Sequence, residues 1–158
     1  PARFPKHPLA ARAQLRAAEA LAAAKQADAA AAAYRLVTEK YPQAPEAAEA
    51  RKALGDLVQT TDDPARLAAT LKTLPPAERA RGTLRLARLY LQQQKNTEAE
   101  AALTEALKTP AAPEITGEAR YLLGAALEGL SRTAPAAAAY AEALRLQPAA
   151  PWAPDANT

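Results

Sequence analysis

The chain has no cysteine and no methionine, and only one histidine (His7) and one serine (Ser131) in 158 residues. Disulfides, thiolate nucleophiles and cysteine-based metal sites are excluded at once. Haem ligation by a histidine pair lacks its ligands. Two valines and one isoleucine, with five tyrosines, one phenylalanine and one tryptophan, leave little material for strands, which favour β-branched and aromatic side chains. No apolar run approaches the ~18–20 residues of a membrane span. What is abundant is 47 alanines and 21 leucines, the residues at the head of the helix scale. The fold class is therefore all-α, and the length suits one domain. Net charge is +3, with both signs interspersed and few aromatic rings to stack bases. A nucleic-acid partner is not expected.

Internal repeats carry the next step. Phe4-Pro5-Lys6-His7-Pro8-Leu9-Ala10-Ala11-Arg12-Ala13 lies over Tyr41-Pro42-Gln43-Ala44-Pro45-Glu46-Ala47-Ala48-Glu49-Ala50 at a shift of 37 residues. Both read aromatic-Pro-x-x-Pro-x-Ala-Ala-x-Ala. Leu86-Ala87-x-x-Tyr90 with Ala99, Leu103 and Ala106 lies over Leu123-Gly124-x-x-Leu127 with Ala136, Tyr140 and Ala143 at the same shift. Leu54-Gly55-x-x-Val58 opens a shorter unit ending at Pro75-Pro76. Helices are predicted at 8–25, 27–40, 45–59, 64–73, 77–93, 97–108, 114–130 and 133–146. Asp63-Pro64 offers an N-cap oxygen before a first-turn proline. Thr97 with Glu100 reads as a capping box. Pro135 is tolerable only in a first turn, which sets the last helix to begin near Thr133.

The pattern Leu-Gly/Ala-x-x-Tyr, then Ala-x-x-x-aromatic-x-x-Ala and a closing proline, resembles the tetratricopeptide repeat (TPR). It is clear in the last two units, recognisable in the first through Leu21, Ala30, Tyr34, Val37 and Pro42, and weak in the second. The resemblance implies an α-solenoid of about four helix-turn-helix units, eight helices in all. Small residues let paired helices approach, and Tyr34, Tyr90, Leu103 and Tyr140 fill spaces between pairs. The Tyr41-Pro42-x-x-Pro45 junction and the spacing are similar to bacterial cell-envelope TPR proteins: Tol-associated coordinators, outer-membrane assembly lipoproteins and lytic transglycosylase scaffolds. That likeness implies a periplasmic or cell-envelope location, with the cytoplasm as the alternative.

Three segments are expected: 1–7 as the tail of a preceding repeat or an N-terminal arm, 8–148 as the TPR domain, and 149–158 as a Pro/Ala-rich tail. Phe4-Pro5 matches the end of a second helix, so a longer parent chain is expected to extend N-terminally. Trp152, in the tail, is read as a linker residue, a self-capping residue or, third, a partner contact.

Catalytic arrangements are scarce. Ser131 and His7 stand at opposite ends of an array in which each unit touches its neighbours, so they form no nucleophile–base pair. Asp62/Asp63 and Glu98/Glu100 read as helix-start acids that complement the dipole. The five glycines are scattered and form no phosphate-binding loop. A non-enzyme without cofactor or metal is expected.

The informative surface is the concave face that TPRs build from their first helices. The polar and aromatic members at the family's groove positions are Arg12, Arg16, Glu19, Glu49, Lys52, Asp56, Gln59, Arg81, Arg85, Arg88, Glu118, Tyr121 and Glu128. Arg81, Arg85 and Arg88 share one helical stripe and are suited to gripping carboxylates. The alternative is that these arginines pair with acids on neighbouring helices, Glu49 and Glu118 among them. Arg81 and Arg85 match the basic pair of the carboxylate clamp found in chaperone-binding TPRs. Leu15, Glu19 and Ala53 depart from that clamp, and Glu19 would repel a bound carboxylate. The expected function is binding of another protein or peptide, an acidic one being among the options. The alternatives are a scaffold that self-associates through open solenoid ends, and the superhelical arm of a peptidoglycan-processing enzyme.

Overall fold

The structure, a computed structural model, describes residues 8–74 and 76–153. Phe4, Pro5 and His7, and with them the expected tail or arm at 1–7, lie outside the described residues. So do 154–158 of the expected C-terminal tail. Among the described residues there are eight helices and no strand: α1 (Pro8–Ala23), α2 (Ala27–Lys40), α3 (Pro45–Thr60), α4 (Pro64–Thr73), α5 (Pro76–Gln92), α6 (Asn96–Ala106), α7 (Pro113–Gly129) and α8 (Thr133–Leu146). The expected all-α class is the observed one. No helix is long and apolar enough to cross a membrane among the described residues.

Proline sets several of these boundaries. Pro8, Pro45, Pro64 and Pro113 open their helices, where a missing N–H costs nothing. Pro135 falls in the first turn of α8, which begins at Thr133. The expected capping box on α6 does not form. The helix starts one residue earlier, at Asn96, with Lys95 at the cap and no side-chain hydrogen bond to the exposed N–H groups. Glu100 instead accepts a hydrogen bond from Arg132 at 2.6 Å.

Contacts divide the chain into two compact units. The first holds α1, α2, α3 and α4 from Ala65 on. The second holds Asp62–Pro64 and α5 to α8. In the first, α1 packs on α2, α2 on α3, and α1 on α3. Ala11, Leu15 and Ala18 of α1, Ala30, Tyr34 and Val37 of α2, and Ala47, Ala50, Leu54 and Val58 of α3 form its buried stripes. Their spacing is the i, i+3/i+4, i+7 recurrence of an amphipathic helix. Leu67 and Leu71 are the buried leucines of α4.

In the second unit α5 packs on α6, α6 on α7, α7 on α8, and α5 on α7. Leu84, Ala87, Leu103, Ala119, Leu122, Leu123, Leu127, Ala136 and Ala139 make the core, with Tyr121 and Tyr140 packed against it. Leu103 is fully enclosed. A buried leucine contributes about 1.5–3 kcal/mol relative to exposure, so this cluster is the main source of the unit's stability. The alanines at the repeat positions 30, 99, 136 and 143 are all buried, whereas Ala106 is only half-buried.

Three of the four hairpin turns share one geometry. Gln26 N–H donates to the Leu21 carbonyl, Lys95 to Tyr90 and Arg132 to Leu127. Inside each, Lys25 donates to Ala22, Gln94 to Leu91 and Ser131 to Glu128. This is the Schellman pair of bonds that closes a helix C-terminus. It places Lys25, Gln94 and Ser131 in the left-handed region, with φ of 58°, 57° and 58°. Ser131 is thus a turn residue, as expected.

Candidate functional site

The first helices of the four hairpins, α1, α3, α5 and α7, carry the predicted groove residues, and each unit presents its own set. In the first unit, the α1 stripe of Arg12, Arg16 and Glu19 runs at i, i+4, i+7, about a quarter-turn round the helix from the buried Ala11–Leu15–Ala18 stripe. Arg12 and Arg16 are exposed. Arg16 donates to Glu19 at 2.7 Å, an exposed pair within one turn. Leu15, which stands at a clamp position, is a core residue at 4% exposure, so no donor there could face a ligand. The charge of Glu19 reaches Tyr34: burial, and then that charge, raise the phenol above its ordinary value.

On α3, Glu49, Lys52, Asp56 and Gln59 are all exposed along one stripe. Their spacing would allow pairs at i, i+3 and i, i+4. Even so, none of these four side chains makes a hydrogen bond or ion pair with another described residue, although the Asp56 backbone carbonyl accepts from the Thr60 hydroxyl at 2.9 Å.

In the second unit the three-arginine row of α5 is largely neutralised. Arg85 donates to Asp62 at 2.7 Å. Arg88 pairs with Glu118 on α7. Arg81 is exposed and makes no ion pair among the described residues. Pairing with neighbouring acids thus accounts for two of the three guanidinium groups.

The remaining α7 positions form an aromatic platform. Gly124 lacks a side chain where the Tyr140 ring crosses α7, and a Cβ there would lie 2.5 Å from Cε1 of that ring. The Tyr140 hydroxyl donates to Glu128 at 2.8 Å. Burial first, then the Glu128 hydrogen bond and charge, push the Tyr140 phenol far above its ordinary pKa. Tyr121 tilts against Tyr140 with ring centroids 5.7 Å apart. Trp152 stacks on Tyr121 at 5.0 Å and 16° between planes. The sequence places Tyr121 in the groove and offers self-capping as one reading of Trp152, but not the ring it meets, because a proline-rich segment has no periodicity to project. The one available signal was an isolated tryptophan after the last repeat.

A recess between α5, the end of α6 and the start of α7 is lined by Ala80, Leu84, Leu107, Ile115 and Ala119, with Thr116. Thr116 donates its hydroxyl to the Ala112 carbonyl. No titratable group lines this recess, so it carries no acid–base chemistry. Among the described residues no three His, Cys, Asp or Glu side chains gather as metal ligands.

Paired helices with small residues at the crossings, joined by matching turns, define a helical-repeat protein. The tetratricopeptide repeat family model matches residues 2–45 and 84–151, more than half of the chain. The chain belongs to the tetratricopeptide repeat family. Repeats of this family generally mediate protein–protein interaction and are typically non-catalytic. The match passes over 46–83, where the sequence pattern is weakest. Gly55 shows a physical counterpart of that gap: it stands where Gly124 does in the repeat, yet no atom comes within 4 Å of the Cβ it would carry. No curated protein matches the chain.

Proposed function

We propose that this chain is a non-catalytic interaction module that binds a segment of a partner protein, extended or helical, along its first-helix faces. The observation that carries the reading is the α3 stripe. Glu49, Lys52, Asp56 and Gln59 are exposed and make no bonds to one another, although charged neighbours at these spacings ordinarily pair. Four polar side chains in a row with nothing to satisfy but water are available to a ligand at low cost. Arg81 offers the same on α5. A partner that suits the α3 face carries charges of both signs rather than being a uniformly acidic tail, and one that suits the α5 face offers Arg81 a carboxylate. On the junction motif and spacing, the setting is a larger protein of a bacterial cell envelope, acting in the periplasm.

Photocrosslinking tests the reading. A photoreactive amino acid placed at Gln59 or Arg81 is expected to capture a specific envelope protein. The same group at Thr104, exposed on the second helix of its hairpin, is expected to capture none. Lys52→Glu with Asp56→Lys should lower the yield at Gln59 about tenfold, the loss of roughly two charge pairs in a desolvated contact. Equal capture at all three positions, or yield indifferent to the charge reversals, refutes it.

A further inference from the structure

The α7 groove positions differ from those of α3 in that both of their carboxylates already have side-chain partners. Glu118 is engaged by Arg88 and Glu128 by the Tyr140 hydroxyl, which leaves the ring of Tyr121 as the contact that α7 presents. That ring is braced from one side by Tyr140, itself seated over Gly124 and tied to Glu128. On it lies Trp152, stacked nearly parallel. The segment that delivers Trp152 is not helical. It is two successive turns, closed by Ala150 N–H to the Gln147 carbonyl at 3.3 Å and Ala153 N–H to the Ala150 carbonyl at 2.9 Å. Trp152 remains half-buried.

We infer that the Tyr121 face is a docking site for an aromatic side chain carried on a short proline-rich segment, and that Trp152 fills it in cis as a displaceable stand-in. The inference deepens the interaction-module reading and rests on it: it names the chemistry that the second unit selects and the contact that a partner must displace. The chemistry is written in the occupant itself, Pro151-Trp152-Ala153 after Pro148. A braced ring gives a stacking surface that needs no rearrangement to accept an indole or phenyl ring. A tether of six residues from the end of α8 holds Trp152 at an effective concentration of about millimolar order. A free segment of equal chemistry must exceed that. A partner that also reaches Arg81, in the same unit, gains a second contact and displaces Trp152 at lower concentration.

The probe is the peptide Gln-Pro-Ala-Ala-Pro-Trp-Ala, the sequence of residues 147–153, titrated into the isotopically labelled full chain and followed by NMR. Saturable shifts are expected on the α7 amides around Tyr121 in Trp152→Ala. Half-saturation should come at about tenfold less peptide than in the unaltered chain. The added change Tyr121→Ala should abolish the shifts. A second arm needs no substitution in the protein: the same peptide with phenylalanine for tryptophan should shift the emission of Trp152, the only tryptophan, to the red as it is released. Equal half-saturation with and without Trp152 overturns the inference. So does a lack of saturable shifts together with unchanged Trp152 emission. Neither arm uses a natural partner, so failure here leaves the crosslinking result untouched, and the reverse holds as well.

Discussion

Replacing Gly124 by alanine adds one methyl group at the crossing of α7 and α8. The new Cβ would stand 2.5, 2.6 and 2.9 Å from Cε1, Cδ1 and Cζ of Tyr140. An ordinary carbon–carbon contact is about 3.5–4.0 Å, so the ring must retreat by about 1 Å. It cannot do so by bending a flexible end, because Tyr140 packs on Tyr121 and donates to Glu128. Overpacking of this kind costs about 1–3 kcal/mol. Loss of the Tyr140–Glu128 bond adds about 0.5–1.5 kcal/mol, and alanine's helix propensity returns about 1 kcal/mol. The net expectation is a loss of about 0.5–3.5 kcal/mol. Gly55 on α3 is the internal control, since an added Cβ there meets nothing within 4 Å. Gly55→Ala should therefore stabilise by about 0.5–1 kcal/mol. The assay is urea unfolding of both variants, read by far-ultraviolet circular dichroism and by Trp152 fluorescence, which belongs to the second unit. A Gly124→Ala chain as stable as the parent would refute the packing argument. So would a Gly55→Ala chain that is clearly weakened.

Other perturbations follow from the same contacts. Tyr140→Phe should flatten the alkaline loss of stability. The folded state holds the Tyr140 proton above the ordinary value of 10.0, so above pH 10 the unfolded state loses the proton first and is favoured. Urea midpoints at pH 9 and 10.5 should lie closer together in the variant than in the parent, the remaining gap belonging to Tyr34, whose phenol is also raised. Arg88→Ala and Glu118→Ala, with their double variant, should give a coupling of about 0.2–1 kcal/mol that shrinks in 1 M salt, because Arg88 is about half exposed. Calorimetry at two salt concentrations decides this. Leu103→Ala, at 0% exposure, should cost about 2–5 kcal/mol, and full retention of the unfolding midpoint would contradict the core assignment.

The helices were legible because alanine and leucine recur with a period that only one secondary structure uses, and because prolines at 8, 45, 64 and 135 leave few places for a helix to begin. The class of protein followed from Gly124, Tyr140 and the alanines that accompany them. What the sequence concealed lies where neighbours in space compete with neighbours in the chain. Thr97 and Glu100 have the spacing of a capping box, but Arg132, more than thirty residues away, takes the carboxylate. Arg85 and Arg88 share a stripe with Arg81, yet Asp62 and Glu118 neutralise them, so a row of three positive charges reduces to one. Gly55 and Gly124 look equivalent along the chain, and only the arrival of a tyrosine distinguishes them. Trp152 meets Tyr121 through a turn whose path no periodicity describes.

The left-handed turns bear on how such an array could be altered. Lys25, Gln94 and Ser131 occupy a backbone conformation that costs an ordinary L-residue about 1–2 kcal/mol and glycine almost nothing. Each corner is thus wound slightly against its preference, and none of the three side chains is buried. Glycine at 25, 94 and 131 would relieve the corners one at a time and so strengthen the fold, without touching the helix crossings or the exposed first-helix stripes. The chain therefore carries a graded adjustment of its own sturdiness, separable from what it recognises.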